Sequence, residues 1–435
     1  MSHHRALRGS GLVAIAALVA FACGGGGGGG GGAEKGTILI GVDLPQSGAE
    51  ASNGIPTLNG VKYFVQKNPT VKGFKLDVLN FDDAVNGVHD PQKGAQNVSQ
   101  MLANKDVLGM VGPFNSNVAR AEIPIANAAG LTMVSPANTN ECLTQDLSGC
   151  DPGPAKLRPS GKPNNYYRVA ATDNRQGPAL ADYAFDTLKL TKLAVGSDNE
   201  TYGKGIADNF AKEFKKKGGT VVVQQDIDTK STSDFRSFLA AAKNGGATGI
   251  YFGGTDTTKS CIVRSQMKGI FDASTPFMGG DGIVTAQCLD DAADTAPGMY
   301  GTVAAVDAPN VPDAKTTIDG YKKAFTGTND FGAYTVPAYA AAQALVQAMG
   351  IAIDANGGNK PSREQVRDAM GKIKNLATPI GTISFDKNGD IIPQIITIYL
   401  TKASVSDKQA ADSPGCGTKV KTTCFIFEKS INYTG

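Results

Sequence analysis

Tryptophan is absent from the 435 residues, and histidine occurs three times, twice at the extreme N-terminus as His3 and His4. His89 is thus the one imidazole in the body of the chain. General acid/base or triad catalysis built on histidine finds no set of partners there. G-x-S-x-G, the Walker A phosphate loop and H-E-x-x-H are missing too, so the reading is of a protein that is not an enzyme and needs no cofactor. The seven cysteines show no C-x-x-C spacing, which sets aside zinc ribbons and thioredoxin-type redox chemistry. There is no Lys/Arg run interleaved with aromatics, and a net charge of +2 spread along the chain leaves no nucleic-acid footprint. The Ala-rich stretch 336–353 is short for a membrane span and is interrupted by Tyr339, Gln343 and Gln347.

What is present begins with a leader. Arg5 and Arg8 precede the apolar run Leu12 to Phe21, and Ala20-Phe21-Ala22 is a small-residue cleavage site, so residues 1–22 read as a secretion signal. Cys23 follows directly and is expected to carry lipid. The glycines from 24 to 32 then form a flexible tether, with a reach of roughly 5 to 6 Å times the square root of its length. Export permits disulfides. With Cys23 assigned to lipid, six cysteines allow fifteen pairings. Proximity favours Cys142 with Cys150 and Cys416 with Cys424, which leaves Cys261 with Cys288.

The stretch 107–140 carries the organising pattern: strand, Gly-Pro turn, helix, strand, polar turn. Val107 to Val111 is an apolar run ending at Gly112-Pro113, and Ser116 suits the N-cap of a helix whose apolar face is Val118, Ala121, Ile125 and Ala128. Leu131 to Val134 is a second buried strand. In a right-handed βαβ unit both strands point the same way, and their carboxyl ends form the edge where such sheets take ligands. That edge offers Asn115, Ser116, Asn117, Ser135, Asn138 and Thr139 beside a helix N-terminus that favours an anion.

The same alternation runs from Thr37 through Asn140, lapses in a Pro/Gly-rich loop, and restarts after Thr172 to Asn174. Gly301 to Val306 reads as a strand returning to the first lobe, and Thr382 to Phe385 with Ile395 to Leu400 as a hairpin. The fold class is α/β, with two doubly wound parallel-sheet lobes and three hinge crossovers. Lobe 1 is expected over 37–171 and 303–376, and lobe 2 over 172–302 and 377–435, with 23–36 as the tether. Asp82-Asp83 reads as a solvated structural pair rather than a metal site. Asp386 to Asp390 begins like a calcium loop, but Thr397 stands where the twelfth-position glutamate belongs, and a hairpin turn fits better. Asp281, in Gly279-Gly280-Asp281-Gly282, is either a turn aspartate or a carboxylate facing the cleft. Tyr202 either stacks on a ligand or buries its ring beneath the next helix.

In series, Ile40-Gly41-Val42, Asp82-Asp83-Ala84, Val111-Gly112-Pro113 with Ser116, Ser135 to Asn140, Asp198 to Gly203, Phe252-Gly253-Gly254, Gly279 to Gly282 and Phe385 to Asp390 carry a family resemblance. The chain resembles the branched-chain amino-acid (Leu/Ile/Val) ABC transporter substrate-binding proteins, which have the type I periplasmic binding protein fold. The resemblance implies that Ser116, Ala137 and Thr139 hold a ligand carboxylate, with Asn138 among them, that Tyr202 lines the pocket, and that Asp281 pairs with an α-ammonium. Asn53 and Thr255 stand where many members have aromatics, which implies a more polar or wider pocket. The function expected is capture of an amino acid or similar small polar solute by a monomer, lipid-anchored in the periplasm or at the cell surface, for delivery to an ABC permease. The alternatives are a sensory subunit reporting solute to a membrane receptor and, more remotely, a small amide or ester hydrolase.

Overall fold

The run Thr37–Leu44 is apolar almost throughout, as a strand covered on both faces must be, and Ile38, Ile40, Val42 and Leu44 are all buried. It pairs in parallel with Phe74–Asp82 on one side and Val107–Val111 on the other. Thr132–Ser135 and Tyr166–Arg168 extend the sheet in parallel, and the short Thr70–Val71 closes its far edge antiparallel. The computed structural model describes residues 35–327, 331–419 and 423–434. The leader 1–22, Cys23 and the tether through residue 34 lie outside the described residues.

Helices cover both faces of this first sheet. Pro91–Ala103 starts as the sequence suggests, with Asp90 accepting from the Lys93 N–H at 2.7 Å and proline in the first turn. The helix Ser116–Ala128 departs from the expectation in two ways. Its N-cap is Asn115, in extended conformation, and Ser116 is the first helical residue. Its buried face is Val118, Ala119, Glu122, Ile123 and Ala126, while Ala128 is exposed. An apolar count cannot find a face that buries a glutamate. The Ala-rich helix Thr335–Ala355 packs against Ala51–Lys67 and the strand Val107–Val111 and is mostly buried within the protein.

A second sheet has the order Thr220–Asp226, Lys192–Ser197, Gly249–Gly253, Phe277–Gly279, Met299–Val303, Ile395–Lys402, Cys424–Asn432. The first five strands are parallel, Ile395–Lys402 pairs antiparallel with Met299–Val303, and Cys424–Asn432 pairs antiparallel with Ile395–Lys402. Two expectations are corrected here. The strand read as returning to the first lobe is Met299–Val303, inside the second sheet. The hairpin read between 382–385 and 395–400 does not form. Gly381–Phe385 pairs with Leu376–Thr378 and Ile391–Ile392 in a small separate sheet, while Ile395–Lys402 joins the second lobe. Pro393, with no N–H to give a ladder, breaks the run between them.

Three crossings lie side by side between the lobes. The Ala171 N–H donates to the Ala304 carbonyl at 2.8 Å, and the Thr172 N–H donates to Gln394 Oε1 at 3.1 Å. The crossing segments are therefore near 169–172, 304–306 and 393–394, so the second falls just after the expected boundary at 302–303 and the third well after the one expected at 376–377. The disulfides are Cys142–Cys150, Cys261–Cys288 and Cys416–Cys424.

Candidate functional site

Each sheet reverses its strand order next to its first strand, and a crevice opens there at the carboxyl ends. In the first lobe the crevice lies between Thr37–Leu44 and Val107–Val111. Gly112 leaves it at φ +128, and a Cβ there would sit 2.3 Å from the Asp43 carbonyl oxygen. In the second lobe it lies between Lys192–Ser197 and Gly249–Gly253. Gly254 leaves at φ +155, and a Cβ there would stand 2.8 Å from Asp198 Oδ2. Both turns are thus shaped by a position that only glycine fills. The loops beyond them, 45–54 and 112–117 on one side and 198–202 and 254–258 on the other, meet across the lobe boundary.

Asp281 stands at the middle of that meeting, directly after the second-lobe strand Phe277–Gly279. Its Oδ1 accepts from Gln176 Nε2 at 2.9 Å and from the Tyr202 hydroxyl at 2.9 Å, and its Oδ2 accepts from the Tyr334 hydroxyl at 2.9 Å. Gln176 and Tyr202 belong to the second lobe, whereas Tyr334 comes from the first, at the start of its long helix, where its ring meets Phe114 edge to face. Burial raises the Asp281 pKa against the three hydrogen bonds, which favour the anion. Asp173, also fully buried, lies in the same field beside Thr139. Burial holds its pKa well above the ordinary range, with Glu141 and Asp281 adding repulsion.

The first-lobe wall is uncharged by comparison. Ser116 and Thr139 are buried together: Ser116 Oγ accepts from the Asn140 N–H at 3.4 Å, and the Thr139 carbonyl accepts from the Asp173 N–H at 2.8 Å. The loop 137–140 is held from beneath. Arg168, fully buried, donates from Nη1 to the carbonyls of Asn138 at 3.3 Å and Asn140 at 2.8 Å, and from Nε to Asp390 Oδ1 at 2.6 Å. Among the described residues no group of three His, Cys, Asp or Glu side chains is placed to hold a metal. A cavity of about 660 Å³ lies elsewhere, lined by Lys315, Lys322, Lys408 and Phe425, and includes none of these residues.

Residues 37–404 match the family model described as periplasmic binding protein. The chain belongs to that family. It is 28% identical over 381 residues to a Leu/Ile/Val-binding protein homolog 1 of Brucella abortus, with 87% of this chain and 91% of the relative covered. The fold is similar to that of a leucine binding protein LivK from Thermotoga maritima, with TM-score 0.74, 22% identity, and 91% of this chain and 99% of that one covered. It is also similar to an ABC-transporter solute binding protein from Rhodopseudomonas palustris in complex with p-hydroxybenzoic acid, with TM-score 0.73, 18% identity and coverage of 92% and 98%. Membership places the chain among binding proteins rather than enzymes.

Within this periplasmic binding protein the remaining expected residues divide. Ala137 is buried beside Ser116 and Thr139 in the first-lobe loop, its N–H on Ser135 Oγ at 3.2 Å. Asn138 has both ends of its amide engaged inside that lobe, donating to the Phe114 carbonyl at 2.6 Å and accepting from the Tyr166 hydroxyl at 2.7 Å. The Thr255 hydroxyl is bonded to Thr257 at 2.8 Å, within its own turn. Asn53 Nδ2 is buried with no hydrogen-bond partner among the described residues. The sequence reading missed Gln176 and Tyr334, which reach Asp281 from helices remote in the chain and carry no local motif. It also passed over Glu50, fully buried in the loop after the first strand. The pair Asp82-Asp83 is not solvated as a pair, because Asp83 is fully buried.

Proposed function

We propose that this chain is an exported solute-binding protein, lipid-tethered through Cys23, which captures an amino acid or similar small polar solute between its lobes and delivers it to an ABC permease. It works as a monomer of two bodies. One comprises 37–168 together with 307–392, whose small sheet is tied to it through Arg168 and Asp390, and the other comprises 173–303 and the residues from 395 onward. Closure is a population shift about the three crossings. In the closed cleft, Ser116, Ala137 and Thr139 face the solute carboxylate, with Asn138 bracing their loop. Asp281 and Tyr202 face its ammonium, and Asn53 and Thr255 lie toward its side chain.

The observation that carries this reading is Asp281. It is a buried carboxylate held by three neutral donors and, among the described residues, by no cation, at the point where the two lobes touch. A ligand ammonium placed there meets the one charge that a desolvated amine requires. The relatives support an amino acid, since the Brucella protein is named for leucine, isoleucine and valine and the Thermotoga protein for leucine. The Rhodopseudomonas neighbour, in complex with an aromatic acid that has no amine, supplies the alternative solute class that a binding test must separate from amino acids. A thermal-shift panel of amino acids, their amides and aromatic carboxylic acids tests it. An α-amino acid should raise the melting temperature with the logarithm of its concentration, worth about 2.7 kcal/mol at a hundredfold excess over Kd. Response to aromatic acids alone contradicts the reading.

A further inference from the structure

His89 lies where the two lobes meet, and both of its ring nitrogens face carboxylates. Nδ1 is 2.8 Å from Glu50 Oε2 and 3.0 Å from Glu50 Oε1, while Nε2 is 2.9 Å from Glu200 Oε2. Glu50 and His89 belong to the first lobe, and Glu200, just before the helix Thr201–Lys216, to the second. A neutral imidazole has one N–H, so it would turn a lone pair on one of these carboxylates; only the imidazolium donates to both. The arrangement is also fixed from behind. Glu50 accepts the His89 backbone N–H at 2.9 Å and the Asn115 amide at 2.7 Å, so neither the acid nor the ring is free to turn away.

We propose that His89 is an affinity-determining residue of closure, a proton-dependent clasp that holds the first lobe to Glu200 of the second. Opening the cleft removes Glu200 from Nε2 and lets water in, while Glu50 stays in place. The clasp therefore acts on the equilibrium between open and closed forms rather than on the fold of either lobe. Its part in solute affinity rests on the solute-binding reading; its part in closure does not.

The charged groups around the ring set the direction. From the first lobe these are Glu50 and, at the end of the strand Phe74–Asp82, Asp83; from the second they are Glu200 and Asp198. Lys230, 3.4 Å from Glu200 Oε1, is the opposing cation and is largely exposed. The neutral neighbours are Asn117, 3.1 Å from Glu200 Oε2, and Thr257, 3.5 Å from Glu50 Oε2. Burial pulls the imidazole pKa down, but Glu50 and then Glu200 outweigh it and hold it well above the ordinary value of 6.5. In the open form Glu200 no longer contributes, so the pKa is lower. The closed form thus binds the proton more tightly. Its support for closure is complete below the open-form pKa and is lost as pH rises to the closed-form pKa, by up to about tenfold per pH unit between the two.

The test uses the exported protein without added solute. The His89 ring resonance, identified by its loss in His89→Gln, is followed by NMR against pH in the wild type and in Glu200→Gln, and the radius of gyration is measured by X-ray scattering on the same samples. Glu200 lies at the rim with a side chain 15% exposed, so its amide variant keeps the fold, with thermal unfolding as control. The expected result is a wild-type titration well above 6.5 that falls by about one unit or more in Glu200→Gln. The wild-type molecule should expand as pH passes that titration, and Glu200→Gln should be larger at about pH 6 and indifferent to pH. A His89 titration near 6.5 that Glu200→Gln leaves unchanged overturns the proposal, as does a wild-type radius of gyration that is constant with pH. Neither measurement involves a solute, so failure of the thermal-shift panel and failure of the clasp are separate results.

Discussion

Behind the first-lobe crevice, Asp43, Asp83 and Glu122 are fully buried; at the lobe boundary Glu50 is fully buried as well, and Glu200 is partly buried. Among the described residues, no amide, hydroxyl or ammonium reaches the carboxyls of Asp83 or Glu122, and Asp43 has one such contact, from Asn97 at 2.8 Å. Burial pushes Asp43 up to about 6 and holds Asp83 and Glu122 well above the usual range, and a hydrogen bond between Asp43 and Glu122 requires that one of them carry a proton. Burial acts on Glu50 and Glu200 in the same direction, but His89 between them reverses it, and both are held below the usual value. Burial alone therefore pushes Asp83 and Glu122 toward the neutral form inside one lobe, whereas Glu50, just as buried, is held toward its anion by His89 at the boundary. Charge is retained where an opposite charge faces it, and at this boundary that pairing joins the two lobes.

The comparison can be broken most severely at Arg168, which is to Asp390 what His89 is to Glu50. Arg168→Met moves Asp390 from the paired set to the unpaired set, and removing one partner of a fully buried pair costs about 3 to 5 kcal/mol. Denaturant unfolding at neutral pH should show that loss; a change under about 1 kcal/mol would mean that the pair does little for the fold. The opposite change sharpens the contrast. Asp43→Asn removes an acid whose folded pKa lies above its unfolded value, so the wild type loses stability as pH rises from about 4 to about 6, and the variant does not. Asp43→Asn should match the wild type near pH 4 and exceed it by about 2 to 3 kcal/mol near pH 8, read from denaturant midpoints. Equal stability at both pH values would place Asp43 in the paired set.

The architecture was legible because it is written in apolar runs and their punctuation. Strands such as Thr37–Leu44 and Val107–Val111 are continuous apolar segments closed by Asp, Gly or Pro, and the Cys142–Cys150 and Cys416–Cys424 bridges follow from nearness in the chain. Buried polar groups leave no such trace. Glu122 turned the face of its helix by one position from the apolar count, and Asp83 was read as solvated because acids usually are. Asp281 could be singled out from its glycines, but its partners Gln176 and Tyr334 could not, since they come from separate helices that only the folded crossings bring together. His89 was noticed only as too solitary for catalysis; its role at the boundary depends on Glu50, 39 residues before it, and Glu200, 111 residues after it.

Titration calorimetry of Asp281→Ala, with the amino acid that gives the largest melting shift in the wild type and circular dichroism as the folding control, tests the central claim most directly. Loss of the carboxylate leaves a desolvated ammonium without its partner, which costs about 2 to 5 kcal/mol, or roughly thirty- to several-thousand-fold in affinity. The account predicts a loss in that range with the fold intact. An affinity close to the wild-type value in a folded Asp281→Ala would show that the cleft does not hold an ammonium at this position.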